Sequence, residues 1–183
     1  KIGNLHLIRN EYPLAIAHFE DALSLKQKFH IVMGTLPFQL CVAYLKLGDF
    51  DKASDHSHAA WQSSLERNGE RNDNTLVLRS MYARAKSLKG DHVGALSDYE
   101  NILNVKETIT TSDESKAITL MELGFVYLKT KKYKLAQDNL SMAHDIILQT
   151  CGGNEDAHPA IKLLEEHIKI LEKKNKSWFS FIC

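Results

Sequence analysis

Four alanines, Ala15, Ala53, Ala95 and Ala136, follow one another at intervals of 38, 42 and 41 residues. Twelve positions before each of them stands another small residue: Gly3, Cys41, Ala83 and Gly124. A chain that repeats itself at such an interval builds one supersecondary unit several times over, and each unit buries its apolar face by stacking on the next. Around the paired small residues the apolar side chains recur at three and four, the period of a helix. An aromatic residue follows the turn in three of the four segments, at Tyr12, Phe50 and Tyr133. Two helices that pack closely need small residues where their backbones approach, with large ones beside them. The first small residue therefore belongs on one helix and the alanine on the next.

The spacing predicts four helix pairs, at about 1–28, 34–68, 74–105 and 113–150. First helices cover about 1–10, 34–47, 74–89 and 113–130, and second helices about 12–28, 50–68, 92–105 and 133–150. Polar stretches join the pairs, and Ser112 or Asp113 is suited to cap the helix that follows it. Beyond the loop at 151–156 a last helix is expected over 157–175, with Pro159 in its first turn, where proline is tolerated. That helix carries Lys169 and Glu172 where the pattern calls for a small and an aromatic residue, so it reads as a cap closing a repeat domain of residues 1–176. Residues 177–183 form a separate apolar tail.

The segments LCVAYLKLGDFDKA, beginning at Leu40, and LGFVYLKTKKYKLA, beginning at Leu123, resemble the tetratricopeptide repeat family. The third segment departs from it, with Lys86 where an aromatic is usual and His92 at the corner. The step near forty residues is similar to that of kinesin light chains and the Leu-Gly-Asn spindle-orientation proteins. This resemblance implies an all-α, right-handed superhelical stack of antiparallel helix pairs whose first helices line a concave groove. It also implies a scaffold or adaptor that captures a peptide or an amphipathic helix of another protein. Carried over by position, the groove is lined by Asn4, by Phe38, Gln39, Val42 and Lys46, by Met81 and Arg84, and by Met121, Glu122, Phe125 and Lys129. The cap contributes His167 and Ile170.

Charge narrows the partner classes. Lys and Arg number 23, as do Asp and Glu, and no long basic stripe is present. Nucleic-acid affinity rests largely on phosphate contacts from clustered cations, so nucleic acid is not an expected partner. The three cysteines, Cys41, Cys151 and Cys183, are too few and too scattered for a disulfide framework, which points to a reducing compartment and a cytoplasmic location. Nine histidines are also scattered. His56 and His58, two apart on a helix, diverge by about two hundred degrees and make no metal pair. No phosphate-binding loop or nucleophile motif is present. No cofactor, metal or catalytic activity is therefore expected.

The tail carries Trp178, Phe179, Phe181 and Ile182 behind Lys173, Lys174 and Lys176. It suggests a second role, a regulatory or targeting module that attaches to a membrane or associates with itself through these side chains. Three or four lysines, at about 1 kcal/mol each near an anionic surface, hold a protein only weakly. Docking of the tail on protein is therefore the stronger expectation.

Family members that grip the acidic C-terminal tails of heat-shock chaperones resemble one another in a set of cationic and amide side chains. Here that set falls on Asn4, Gln39, Val77 and Met81, so two cations are replaced by apolar residues. A bound carboxylate loses charge-assisted hydrogen bonds worth about 1.5–3 kcal/mol each. Titration calorimetry with a peptide ending in EEVD should therefore give no binding in the micromolar range. Micromolar affinity would overturn the position-by-position assignment.

Overall fold

The computed structural model describes residues 2–29, 35–154 and 158–182. Nine α-helices and no strand occur among them: α1 (Ile2–Ile8), α2 (Tyr12–Lys28), α3 (Leu36–Leu47), α4 (Phe50–Asn68), α5 (Asp73–Lys89), α6 (His92–Glu107), α7 (Asp113–Lys129), α8 (Tyr133–Thr150) and α9 (Pro159–Ile182). The protein divides into two compact units, Lys1–Asp91 and His92–Cys183. In the first, each helix from α1 to α5 packs on the next and α3 also touches α5. In the second, α6 packs on α7, α7 on α8 and α8 on α9.

Local chemistry sets the helix ends. Asp49, Asn72 and Ser112 each accept a hydrogen bond from a backbone N–H in the first turn of α4, α5 and α7, so free donors there are satisfied by side chains. Helices α3 and α5 stop at Gly48 and Gly90, whose φ values of 85° and 105° lie in the left-handed region where a Cβ is strained. Helix α1 ends at Ile8, short of the expected residue 10, because Asn10 turns the backbone at φ 60°. Asparagine is one of the few residues with a side chain that adopts this conformation readily.

Within the first and fourth pairs the two helices are in close contact at the glycines. A Cβ placed on Gly3 would lie 2.6 Å from Phe19 Cε1, and one on Gly124 would lie 2.7 Å from Leu140 Cδ2. Phe19 and Leu140 each stand four residues after the core alanine of the second helix, Ala15 or Ala136. In the second pair Cys41 replaces glycine, and the residue four after Ala53 shrinks to Ser57. Ser57 hydrogen-bonds the Cys41 thiol, which burial nonetheless pushes up to about 11. In the first and fourth pairs a large side chain faces a glycine, so the layer between those helices is filled without overpacking. Ala15, Cys41, Ala53, Ala136 and Leu140 are fully buried there.

Two junctions between successive pairs share a further device. The Tyr44 hydroxyl on α3 donates to Glu20 on α2, and the Tyr127 hydroxyl on α7 donates to Glu100 on α6 at 3.0 Å. In both, tyrosine stands three residues after the small residue and glutamate five after the preceding alanine. A lysine from the following helix or its cap lies over each ring, Lys52 at 5.0 Å and Lys132 at 5.8 Å. The α4–α5 junction has His58 and Lys86 at these two positions, and the tie is replaced. There Trp61 stacks on Tyr82 at 5.7 Å, His58 packs against both rings, and Arg79 and Lys86 lie over the Trp61 and Tyr82 faces. The far ends are joined by polar pairs. Ser64 meets Thr75 at 2.9 Å, and the buried Lys106 donates to the Ser115 carbonyl and hydroxyl and to the Thr119 hydroxyl.

Helix α9 packs on α8, and its Ile161, Leu164 and Leu171 are buried. It runs on to Ile182, and no proline or glycine interrupts it after Pro159. The backbone of 177–182 thus continues the cap helix. The side chains of Trp178, Phe179, Phe181 and Ile182, and Cys183 as a whole, lie outside the described residues, as do the contacts expected of them.

His56 on α4 stacks on Tyr44 at 5.4 Å and 3°. Burial is the main cause that lowers its pKa, and Lys52 acts in the same direction, against Glu20 and Asp55. A histidine held neutral in the fold takes up its proton more readily when unfolded. Stability is therefore present above the unfolded value near 6.5 and falls as pH drops below it, levelling off beneath the folded value. Urea unfolding at pH 7.5 and 5.5 should show a smaller loss for His56→Gln than for the parent protein. Equal losses would exclude this contribution.

Candidate partner-binding faces

Helices α1, α3 and α7 carry candidate residues, while another face of each is committed to the helix that follows it. In the first unit two of them meet. Gln39 Nε2 on α3 donates to Asn4 Oδ1 on α1 at 2.8 Å, across thirty-five residues of sequence. This amide pair borders a cavity of about 360 Å³ lined by Ile2, Gly3, Phe19, Ala22 and Leu36, with His18 as its other polar wall. The His18 ring also stacks on His6 at 5.2 Å, and His6 contacts Glu11 at 2.6 Å.

On α3, Phe38 and Val42 are half-buried and Lys46 is exposed. On α5, Met81 is half-buried and Arg84 exposed, close enough to Cys41 for its charge to be felt there. In the second unit Met121, Glu122 and Phe125 are half-buried on α7, and Lys129 is exposed. Phe125 meets His167 of α9 edge-to-face, with ring centroids 5.3 Å apart. The His167 Nδ1 donates to the Leu163 carbonyl at 2.8 Å, which fixes the ring over the Phe125 edge.

Sequence reasoning did not anticipate that second-helix residues, His18, Phe19 and Ala22, wall the cavity. Their signal is positional, since Phe19 and Ala22 follow Ala15 by one and two turns. It also missed the cluster of Trp61, Tyr82 and His58 with Arg79 and Lys86. The departure at Lys86 was its one visible sign.

Among the described residues no three His, Cys, Asp or Glu side chains converge as metal ligands, and no helix is long and apolar enough to cross a membrane. The Cys41 thiol is buried with its pKa raised, the opposite of an activated nucleophile.

By sequence, the protein matches no family model and no curated protein. Structures do match. The crystal structure of BtubC (BKLC) from P. vanneervenii superposes with a TM-score of 0.76 at 17% identity, over 93% of this chain and 69% of that one. The apo form of RapI superposes with a TM-score of 0.81 at 17% identity, over 97% of this chain and 63% of RapI. The protein has a tetratricopeptide-like helical-repeat fold. At this identity the likeness concerns the fold alone.

Proposed function

We propose that the protein is a cytoplasmic scaffold or adaptor without catalytic activity, which captures a segment of a partner protein on the faces of its first helices. The observation that carries this reading is the Asn4–Gln39 amide pair at the edge of the cavity between α1, α2 and α3. With one Gln39 N–H committed to Asn4, the Asn4 amide N–H groups and the second Gln39 N–H are donors left to the pair, and the Gln39 carbonyl is an acceptor left to it. These are the complements of a peptide-backbone carbonyl and N–H. About 360 Å³ lies at the small end of ligand pockets, which run from about 300 to 1,000 Å³. The apolar lining then suits one large side group of a peptide whose backbone is held at the rim.

Each neutral hydrogen bond contributes about 0.5–1.5 kcal/mol. The double substitution Asn4→Ala with Gln39→Ala should weaken partner binding by roughly tenfold or more, with the helical circular-dichroism signal unchanged. Affinity capture followed by mass spectrometry and titration of the recovered partner measures this. Recovery of no protein by the parent, or equal affinity for parent and variant, would overturn the proposal.

A further inference from the structure

Exposed lysines gather at one end of the second unit. The corner between α7 and α8 runs Lys129-Thr130-Lys131-Lys132-Tyr133-Lys134, and each of its lysines is exposed. Lys131 turns the corner at φ 60°, and Lys132 lies over the Tyr127 ring at 5.8 Å. Lys134 is 3.9 Å from Asp138 with its side chain 81% exposed, a contact that contributes little in water. Neither Lys129 nor Lys131 has an ion-pair partner among the described side chains.

Helix α9 brings its own lysines to this end. Pro159 follows Thr150 across one loop, and six residues along each helix from there Glu165 faces His144 at 3.7 Å. The two helices therefore run antiparallel and in step, which sets Lys176 level with Tyr133, the first residue of α8. The Phe125–His167 contact agrees: four residues further along each helix, Lys129 stands level with Leu171. Lys169 and Lys173, both exposed, flank that level. Over 177–182 the α9 backbone continues past α8 by about 9 Å, from six residues at about 1.5 Å each. That length carries Trp178, Phe179, Phe181 and Ile182.

We infer that this end of the second unit docks on an anionic phospholipid bilayer, with the corner and α9 lysines at the headgroups and the apolar end of α9 in the interfacial layer. This surface shares no residue with the Asn4–Gln39 cavity.

The charge balance selects the partner. The carboxylates at this end are Asp98, Glu100, Asp138 and Glu172, and two of them are engaged: Asp98 is buried and Glu100 accepts from the Tyr127 hydroxyl. Lys169 lies 3.8 Å from Glu165. The corner lysines, with Lys173, Lys174 and Lys176, outnumber these carboxylates in a chain whose net charge is zero. In sequence only Lys173, Lys174 and Lys176 adjoin the apolar stretch, too few for firm attachment. Folding adds the corner lysines from roughly forty residues earlier, and the total enters the range of about four to eight cations that holds a protein on anionic lipid. Stable attachment takes a second, apolar signal, and Trp and Phe side chains suit the interfacial layer. A second copy of the chain fits less well, because a two-fold contact through this end sets the same lysines against each other.

The test is co-sedimentation of the whole chain with lipid vesicles, using variants whose helical circular-dichroism signal matches the parent. The parent should bind vesicles of equimolar phosphatidylcholine and phosphatidylserine but not phosphatidylcholine alone, with affinity falling as salt is raised. Lys131→Gln with Lys134→Gln should weaken binding roughly tenfold or more, from about fivefold for each lysine near the surface. Trp178→Ser with Phe179→Ser should weaken it to a similar degree, and Lys162→Gln, at the opposite end of α9, should leave it unchanged. No binding to either vesicle, equal binding to both, or a loss with Lys162→Gln as large as with the corner pair would overturn the inference. A corner pair that binds like the parent would overturn it by leaving the tail to act alone. Binding of heparin without binding of vesicles would overturn it in favour of a soluble polyanion, and tail-dependent dimers without vesicle binding in favour of a second copy.

Discussion

A glycine opposite a large apolar side chain sets the separation of two helix pairs, with Gly3 facing Phe19 in the first unit and Gly124 facing Leu140 in the second. Holding glycine in a helix interior costs about 0.5–1 kcal/mol. Here the backbone approach allows Phe19 and Leu140 to be buried, at about 1.5–3 kcal/mol for a side chain of that size. The same compromise is struck differently at Cys41, which faces a serine. The consequences extend to both faces of the first helix. Once its inner face is pinned by this contact, its other side chains are directed outward, and these are the residues available to a partner.

The tyrosine–glutamate ties act at a second level, between pairs. Tyr44 and Tyr127 are buried aromatic rings with their hydroxyls directed at Glu20 and Glu100, and burial followed by the carboxylate raises the pKa of each phenol. Each hydroxyl is thereby kept a donor, and the ties join α2 to α3 and α6 to α7. The α4–α5 junction gives up this arrangement for stacked rings covered by cations. Arg79 pairs with Glu70 at 3.2 Å and Lys86 with Asp91 at 3.8 Å, so the cations there are balanced while they cover the rings. Both solutions place a polar group at the edge of an aromatic layer.

The helical-repeat fold was legible because its signal is periodic: the small residues and core alanines recur, and no single position has to be read alone. The compensation four residues after three of the alanines was equally present in the sequence, as Phe19, Ser57 and Leu140, but becomes meaningful only once that side chain is known to face the small residue of its partner helix. The ties at Glu20 and Glu100 were harder to read, since glutamate on a helix surface is ordinarily solvated and nothing local marks its partner. For the candidate faces, periodicity indicated which helices point outward. It could not indicate that Asn4 and Gln39 meet, nor that Phe125 rests on His167, because these depend on distances between elements far apart in sequence. The end of α9 at Ile182 lies beyond the expected residue 175: the change in composition after Lys176 suggests a boundary, whereas helix continuation requires only the absence of a breaker.

The close approach in the second unit is tested most directly by the sign of one substitution in two backgrounds. With Leu140 present, the methyl added by Gly124→Ala would lie 2.7 Å from Leu140 atoms, so the change should destabilise the protein in urea unfolding. In a Leu140→Ala background that space is open, and the same change should instead stabilise by about 0.5–1 kcal/mol through the helix preference for alanine over glycine. A change of sign between the backgrounds is the predicted result. The same sign and size in both would show that Gly124 and Leu140 do not set the spacing of these helices.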